Sequence, residues 1–318
     1  MLDHIPSKQD ILESAKRIEP YVHRTSVMTS STFDSFFHSA LFFKCENFQK
    51  VGAFKSRGAV NAVFSLESAE AQYGVATHSS GNHAQALARA ALLRKIPAYI
   101  VMPENAPEVK VEAVRGYGGK ITFCKPTLQS REETIKVVMA NTGAVEIHPY
   151  DNYTIIAGQA TAARELMEDA GRLDLILCPV GGGGLLAGTA LSARYYGENT
   201  EVIACEPKGA DDACRSFKAG KIIPSVEPMT IADGLLTSLG KRNFPIIQKY
   251  VSDIVTVSED AIIEAMKLVF ERMKLVVEPS AAVVLAALLE KKVEVEGKRV
   301  GLIFSGGNID LKKLPFLS

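Results

Sequence analysis

Four consecutive glycines, Gly181 to Gly184, separate an apolar run from a helix-forming run in Cys178-Pro-Val-Gly-Gly-Gly-Gly-Leu-Leu-Ala-Gly188. This stretch constrains the fold more than any other. Its first part reads as a buried strand and its last part as a helix. Without Cβ atoms, the backbone N–H groups between them can close round an anion at the helix N-terminus. One or two glycines would serve a tight turn packed on a neighbour; four in succession point to a phosphate. No Lys-Ser/Thr follows the glycines, which disfavours a nucleoside triphosphate loop. On these residues alone a dinucleotide stays open, because Gly182-x-Gly184-x-x-Ala187 matches G-x-G-x-x-A and Glu206 ends the next strand at the spacing of a ribose-binding acid.

Regular alternation surrounds this loop. Ser7 and Asp10 cap an amphipathic helix carrying Ile11, Leu12, Ala15 and Ile18. A strand follows near 40–45. Strands near 74–77, 97–102, 120–124 and 144–147 then alternate with helical spacing over 82–94, 106–116 and 128–140. A second series has a helix over 157–169 and strands at 173–180, 201–205, 253–257 and 299–304. Near-continuous apolar strands imply parallel sheets covered on both faces. The fold class is therefore α/β, with two open twisted lobes. Residues 74–151 are read as a small domain inserted between 1–73 and 152–318, which form the large one, and the ligand is expected in the cleft between them.

Charge narrows the partners. Lys plus Arg (36) equals Asp plus Glu (36), so no global positive field would hold nucleic acid or an anionic membrane. A small zwitterion fits better. The five cysteines form no C-x-x-C pair and sit mostly in apolar runs, as buried reduced thiols of a cytoplasmic protein do. The N-terminus lacks an apolar signal core. The uncharged run 175–193 is broken by Pro179 and the glycines, which argues against a membrane helix.

A second segment bears on the phosphate. In Lys44-Cys-Glu-Asn-Phe-Gln-Lys-Val-Gly-Ala-Phe-Lys-Ser-Arg-Gly-Ala59, Lys55 follows Phe54 in an apolar, glycine-containing turn. A partly desolvated lysine favours its neutral amine, the form that condenses with an aldehyde. Thr77-His-Ser-Ser-Gly-Asn-His-Ala-Gln85 follows a short strand and opens a helix, so its N–H groups and hydroxyls can hold a carboxylate. Leu302-Ile-Phe-Ser-Gly-Gly-Asn308 brings a buried strand to a turn. In Glu206-Pro-Lys-Gly-Ala-Asp-Asp212, carboxylates six residues apart flank a turn, a pattern that an exposed acidic loop or a hard cation site would both give.

Across about residues 7 to 310 these blocks together resemble the fold type II pyridoxal phosphate enzymes, which are tryptophan synthase β-like, and among them the serine racemase and serine/threonine dehydratase family. The resemblance implies that Lys55 carries the cofactor covalently beside Phe54. Gly181, Gly182, Gly183, Gly184 and Leu185 would bind its phosphate, Asn82 its ring hydroxyl and Ser305 its pyridine nitrogen, with Gly234 alongside. Ser79, Ser80, Gly81, Asn82 and His83 would take the substrate carboxylate, with Arg131 and Thr237 at the substrate end. Ser80 would act as acid and base on the face opposite Lys55. Glu206, the Ala210 carbonyl and Asp212 would hold magnesium, manganese or calcium, which removes Glu206 from the dinucleotide reading.

Where animal racemases carry a substrate-contacting Ser, this chain has Thr237. Val51 and Ala53 replace residues of those enzymes' nucleotide-activating site, although Lys50, Gln85 and Asn308 match it, so a nucleotide effector is a weaker expectation. A homodimer is implied. The expected activity is serine racemisation with dehydration to pyruvate and ammonia; dehydration of threonine or of 3-hydroxyaspartate is the alternative. A binding protein that keeps the phosphate cradle without chemistry is the non-enzymatic one.

Overall fold

The computed structural model describes residues 1–79, 81–106 and 108–317. Its ten strands are β1 (Val27–Met28), β2 (Ala40–Cys45), β3 (Val75–His78), β4 (Ala98–Pro103), β5 (Lys120–Cys124), β6 (Val145–Glu146), β7 (Leu175–Pro179), β8 (Glu201–Pro207), β9 (Asp253–Val257) and β10 (Arg299–Phe304). All but β1 lie where hydrophobic patterning predicts them. β1, a two-residue edge strand paired antiparallel to β2, is the one that patterning does not show.

The strands form two sheets. One has the order β1-β2-β10-β7-β8-β9 and is parallel apart from the antiparallel edge pair β1–β2. The other, β5-β4-β3-β6, is parallel throughout and arises from the segment between β2 and β7. Parallel neighbours need crossover helices, and these cover the sheet faces. The helices Tyr153–Ala170 and Gly184–Tyr196 enclose one face of the larger sheet, and Pro279–Leu289 packs against the other, buried from Pro279 to Leu288. The first helix, Lys8–Ile18, starts with the capping box expected of Ser7 and Asp10. Among the described residues no helix is long and apolar enough to cross a membrane.

Topology then positions the site. β2, β10 and β7 are adjacent and parallel, so the segments leaving their C-terminal ends emerge side by side. These carry Lys55, Ser305 and the glycine loop respectively. The C-terminal ends of β3, β4, β5 and β6 deliver Ser79 with Gly81, Asn82 and His83, then Lys110, Arg131 and Tyr150, from the other sheet.

Candidate active site

Both sets of segments meet at one cavity of about 410 Å³. Of the cofactor and substrate residues expected from sequence, Phe54, Lys55, Ser79, Gly81, Asn82, His83, Arg131, Gly181, Gly182, Gly183, Gly184, Leu185, Gly234, Thr237 and Ser305 all line it. Ser80 lies outside the described residues.

Lys55 opens the helix Lys55–Ser65, and its Nζ donates to the Pro149 carbonyl at 2.9 Å. Burial lowers its pKa to about 8, against a smaller opposing pull from Glu278. Burial thus shifts the balance toward the neutral amine. Its turn is tied to β10 by the Phe54 N–H donating to the Ser305 carbonyl at 3.0 Å. Upstream, Val51 adopts φ +57°, a left-handed conformation that costs a β-branched residue energy. Asn308 holds it there, donating to the Val51 carbonyl at 2.7 Å.

The glycine loop needs to be bare. A Cβ on Gly182 would stand 2.4 Å from the Tyr150 ring, and Gly183 has φ +91°. The Gly182 carbonyl accepts from the Asn243 side chain at 2.6 Å and from the Gly240 N–H at 3.1 Å, which sets the turn's direction. The loop ends in the N-terminus of the 13-residue helix Gly184–Tyr196, whose first N–H groups have no intrahelical partners. Tyr150 belongs to a second turn. There the His148 Nδ1 accepts from the N–H groups of Tyr150 and Asp151 at 3.3 and 2.9 Å. Burial, with the charges of His78 and Lys55 adding to it, holds this imidazole neutral, at a pKa of about 3.

Glu278, Lys110 and Asp233 line the cavity without a counterpart in the sequence reading. Glu278 is buried, and burial raises its carboxyl to about 7 although Asn82 donates to both its oxygens at 3.0 and 3.1 Å. Asn308 donates to the Asn82 Oδ1 at 2.9 Å, so both ends of that amide are held. The one local hint of Glu278 is a lone carboxylate between Val276-Val and Pro279. Lys110 and Asp233 form an ion pair joining the loops of the two sheets. The Arg131 Nε is buried without a hydrogen-bond partner. His83 donates its Nε2–H to the Ile147 carbonyl at 3.1 Å, and burial keeps it neutral.

Glu206 does not serve a ribose. It is buried and accepts from the Ala213 and Cys214 N–H groups at 3.3 and 2.6 Å. Asp212 lies close by, and its Oδ2 is buried without a partner. Burial raises the two carboxyls to about 8 and about 6. Among the described residues no group of three or more His, Cys, Asp or Glu gathers as a metal site would; two buried carboxylates and the buried Ala210 are what this turn offers, while Asp211 is half-buried and paired with Arg215.

A phosphate cradle and a desolvated lysine on one cavity fit a small phosphorylated aldehyde such as pyridoxal phosphate. Comparison with known proteins agrees. The family model described as "Pyridoxal-phosphate dependent enzyme" matches residues 18–306. The chain is 50% identical to a β-hydroxyaspartate dehydratase of Paracoccus denitrificans, over 98% of this chain and 99% of that one. It is also 50% identical to a serine racemase of Dictyostelium discoideum, over 96% of each. The crystal structure of the Dictyostelium racemase superposes with a TM-score of 0.92, covering 95% of this chain and 98% of that one.

Proposed function

The chain belongs to the pyridoxal-phosphate dependent enzymes, and from that membership we propose that it racemises serine and dehydrates it to pyruvate and ammonia. The observation that carries this reading is the convergence of Lys55 and the Gly181–Gly184 loop on one cavity. Bound pyridoxal phosphate supplies an aldehyde that condenses with amino groups and a ring that draws electrons from the substrate's α-carbon.

The chain's own residues do the rest. Gly181 to Gly184 and Leu185 would hold the phosphate, Ser305 would meet the pyridine nitrogen and Asn82 the ring hydroxyl. A hydroxyl at Ser305, unlike a carboxylate, would accept or donate a hydrogen bond at the ring nitrogen without placing a full negative charge beside it. With a pKa of about 8, the Lys55 amine takes the α-proton as a general base, its N–H directed at the Pro149 carbonyl. Ser79 to His83 hold the α-carboxylate at the N-terminus of the helix Asn82–Arg94. Ser80 handles the proton on the opposite face.

Turnover of L-serine, D-serine, L-threonine and 3-hydroxyaspartate, with keto acid and enantiomer followed separately, tests the reading. Serine should give both products, and Ser80→Ala should cut racemisation by about 100-fold or more. Racemisation surviving in that variant would overturn the two-face assignment. Borohydride trapping should map the adduct to Lys55; an adduct elsewhere would overturn the whole reading. The unpartnered Arg131 Nε on the cavity supports a second substrate, 3-hydroxyaspartate, whose extra carboxylate it would bind.

We also propose a divalent cation, magnesium, manganese or calcium, at Glu206, Asp212 and the Ala210 carbonyl. Its support is the partnerless Asp212 Oδ2 among hard oxygen donors. Chelation should lower the melting temperature by about 3 °C or more; unchanged melting would reject the site.

A further inference from the structure

Arg57 stands two residues beyond Lys55 on the same helix, so the two side chains leave its axis about 200° apart. Lys55 lines the cavity, whereas Arg57 enters a cluster sealed from solvent: Arg57, Lys44 and Glu46 have no exposure and Glu165 has 8%. The Arg57 Nε and Nη2 donate to the two oxygens of Glu46 at 2.7 and 2.8 Å. Its Nη1 and Nη2 donate to the two oxygens of Glu165, both at 2.7 Å. Lys44 Nζ completes the set, donating to Glu165 at 2.7 Å and to the Thr25 carbonyl at 2.8 Å. Two cations thus balance two anions from three places: β2 and the turn after it, the helix Lys55–Ser65, and the helix Tyr153–Ala170.

An apolar core of equal volume would avoid the desolvation of four charges and is often as stable or more so. What a doubly bidentate fork supplies is direction. The helix needs such a constraint, since its N-cap, Phe54, makes no side-chain cap hydrogen bond. One residue on, the helices Lys55–Ser65 and Tyr153–Ala170 touch backbone to backbone: a Cβ on Gly158 would stand 2.7 Å from the Gly58 Cα. Close approach sets the distance between these helices and the fork sets the rotation.

We propose that Arg57 is a positioning residue for Lys55: its two carboxylate partners fix the rotation of the helix Lys55–Ser65 about its axis, and so the direction in which the Lys55 amine enters the cavity. The inference rests on the reading of Lys55 as the cofactor lysine.

The test compares Arg57→Lys, which keeps a cation but loses the fork, with Gly158→Ala, which shifts the same helix without touching charge. Leu288→Ala, in the distant end of the helix Pro279–Leu289, is the control for lost stability alone. In apoprotein, the rate at which Lys55 captures pyridoxal phosphate is read by borohydride trapping and peptide mapping. Affinity for pyridoxine phosphate, which has no aldehyde to condense, reads the cradle separately.

Arg57→Lys should slow capture by about 10- to 100-fold and lower kcat with KM little changed, with pyridoxine phosphate binding within about twofold of the parent. Gly158→Ala should act in the same direction, and it decides the matter if Arg57→Lys does not fold. Leu288→Ala should melt earlier with capture unchanged. If Arg57→Lys, or in its place Gly158→Ala, behaves like Leu288→Ala, the cluster only stabilises and the proposal is wrong. A parental adduct on another lysine brings down the functional reading and this inference with it, whereas parental capture at Lys55 with unaltered variants sinks this inference alone.

Discussion

The two sheets contribute opposite halves of the cavity and are covered to different depths. In the larger sheet all five residues of β7 and five of the six in β10 are buried, and the helix between β9 and β10 is buried along ten consecutive positions. In the smaller sheet the inner strand β4 buries five of its six residues, but the edge strand β5 buries one of five, against two of five in the larger sheet's edge strand β9, and Phe123 on β5 is 44% exposed. Lysine, glycine loop and Ser305 come from the deep sheet; Ser79, Gly81, Asn82, His83, Lys110 and Arg131 come from the shallow one. On the proposed reading, the cofactor residues then lie on the more buried unit and the substrate residues on the one with the more exposed edge, where local opening costs less.

The most damaging change should fall on the deep side. Gly182→Ala drives a Cβ to within 2.4 Å of the Tyr150 ring, so either the loop or the ring must move. It should weaken pyridoxal phosphate binding by about 100-fold and stability by about 1–3 kcal/mol, read by titration of the apoprotein and by melting; parental cofactor affinity would break the contrast. On the shallow side, Arg131→Met should cost about 10- to 100-fold in kcat/KM for 3-hydroxyaspartate and little for serine, because one charge-assisted contact is lost. An equal loss for both substrates would assign Arg131 to the α-carboxylate or to the fold.

A subtler effect lies where the two sides meet. In apoprotein the Lys55 amine should become reactive to an acylating reagent as pH rises through about 8, below the ordinary lysine value of 10.5. Glu278→Gln removes a negative charge that favours the ammonium form, so the midpoint should move down; an upward move would mean that Glu278 excludes water from Lys55 more than it stabilises its charge. The smallest difference is in hydrogen exchange. Amides of β5 should exchange faster than those of β7, and equal protection would remove the physical basis of the comparison.

Much of this is legible in the sequence. Strand positions follow from apolar runs bounded by turn residues, and the glycine loop, Lys55 and the Ser79–His83 block stand out because each is a short contiguous pattern with a local chemical meaning, whereas Ser305 takes its expected role from the family resemblance. Glu278 does not, since its meaning depends on Asn82, 196 residues away. The Pro149 carbonyl, 94 residues from Lys55, is a backbone group and has no residue signature. Arg57 reads as one more surface cation until Glu46 and Glu165 are brought round it.

The sequence by itself therefore determined the α/β class, the order of the elements and the loops that carry phosphate-binding and amine chemistry. Those properties reside in short-range patterns of apolar spacing, glycine and capping residues. Tertiary structure alone decided which carboxylates are buried, where the Lys55 amine points and how the two halves of the cavity are tied. Burial, pKa and direction arise from side chains far apart in the chain, and close packing of parallel strands is what makes them neighbours.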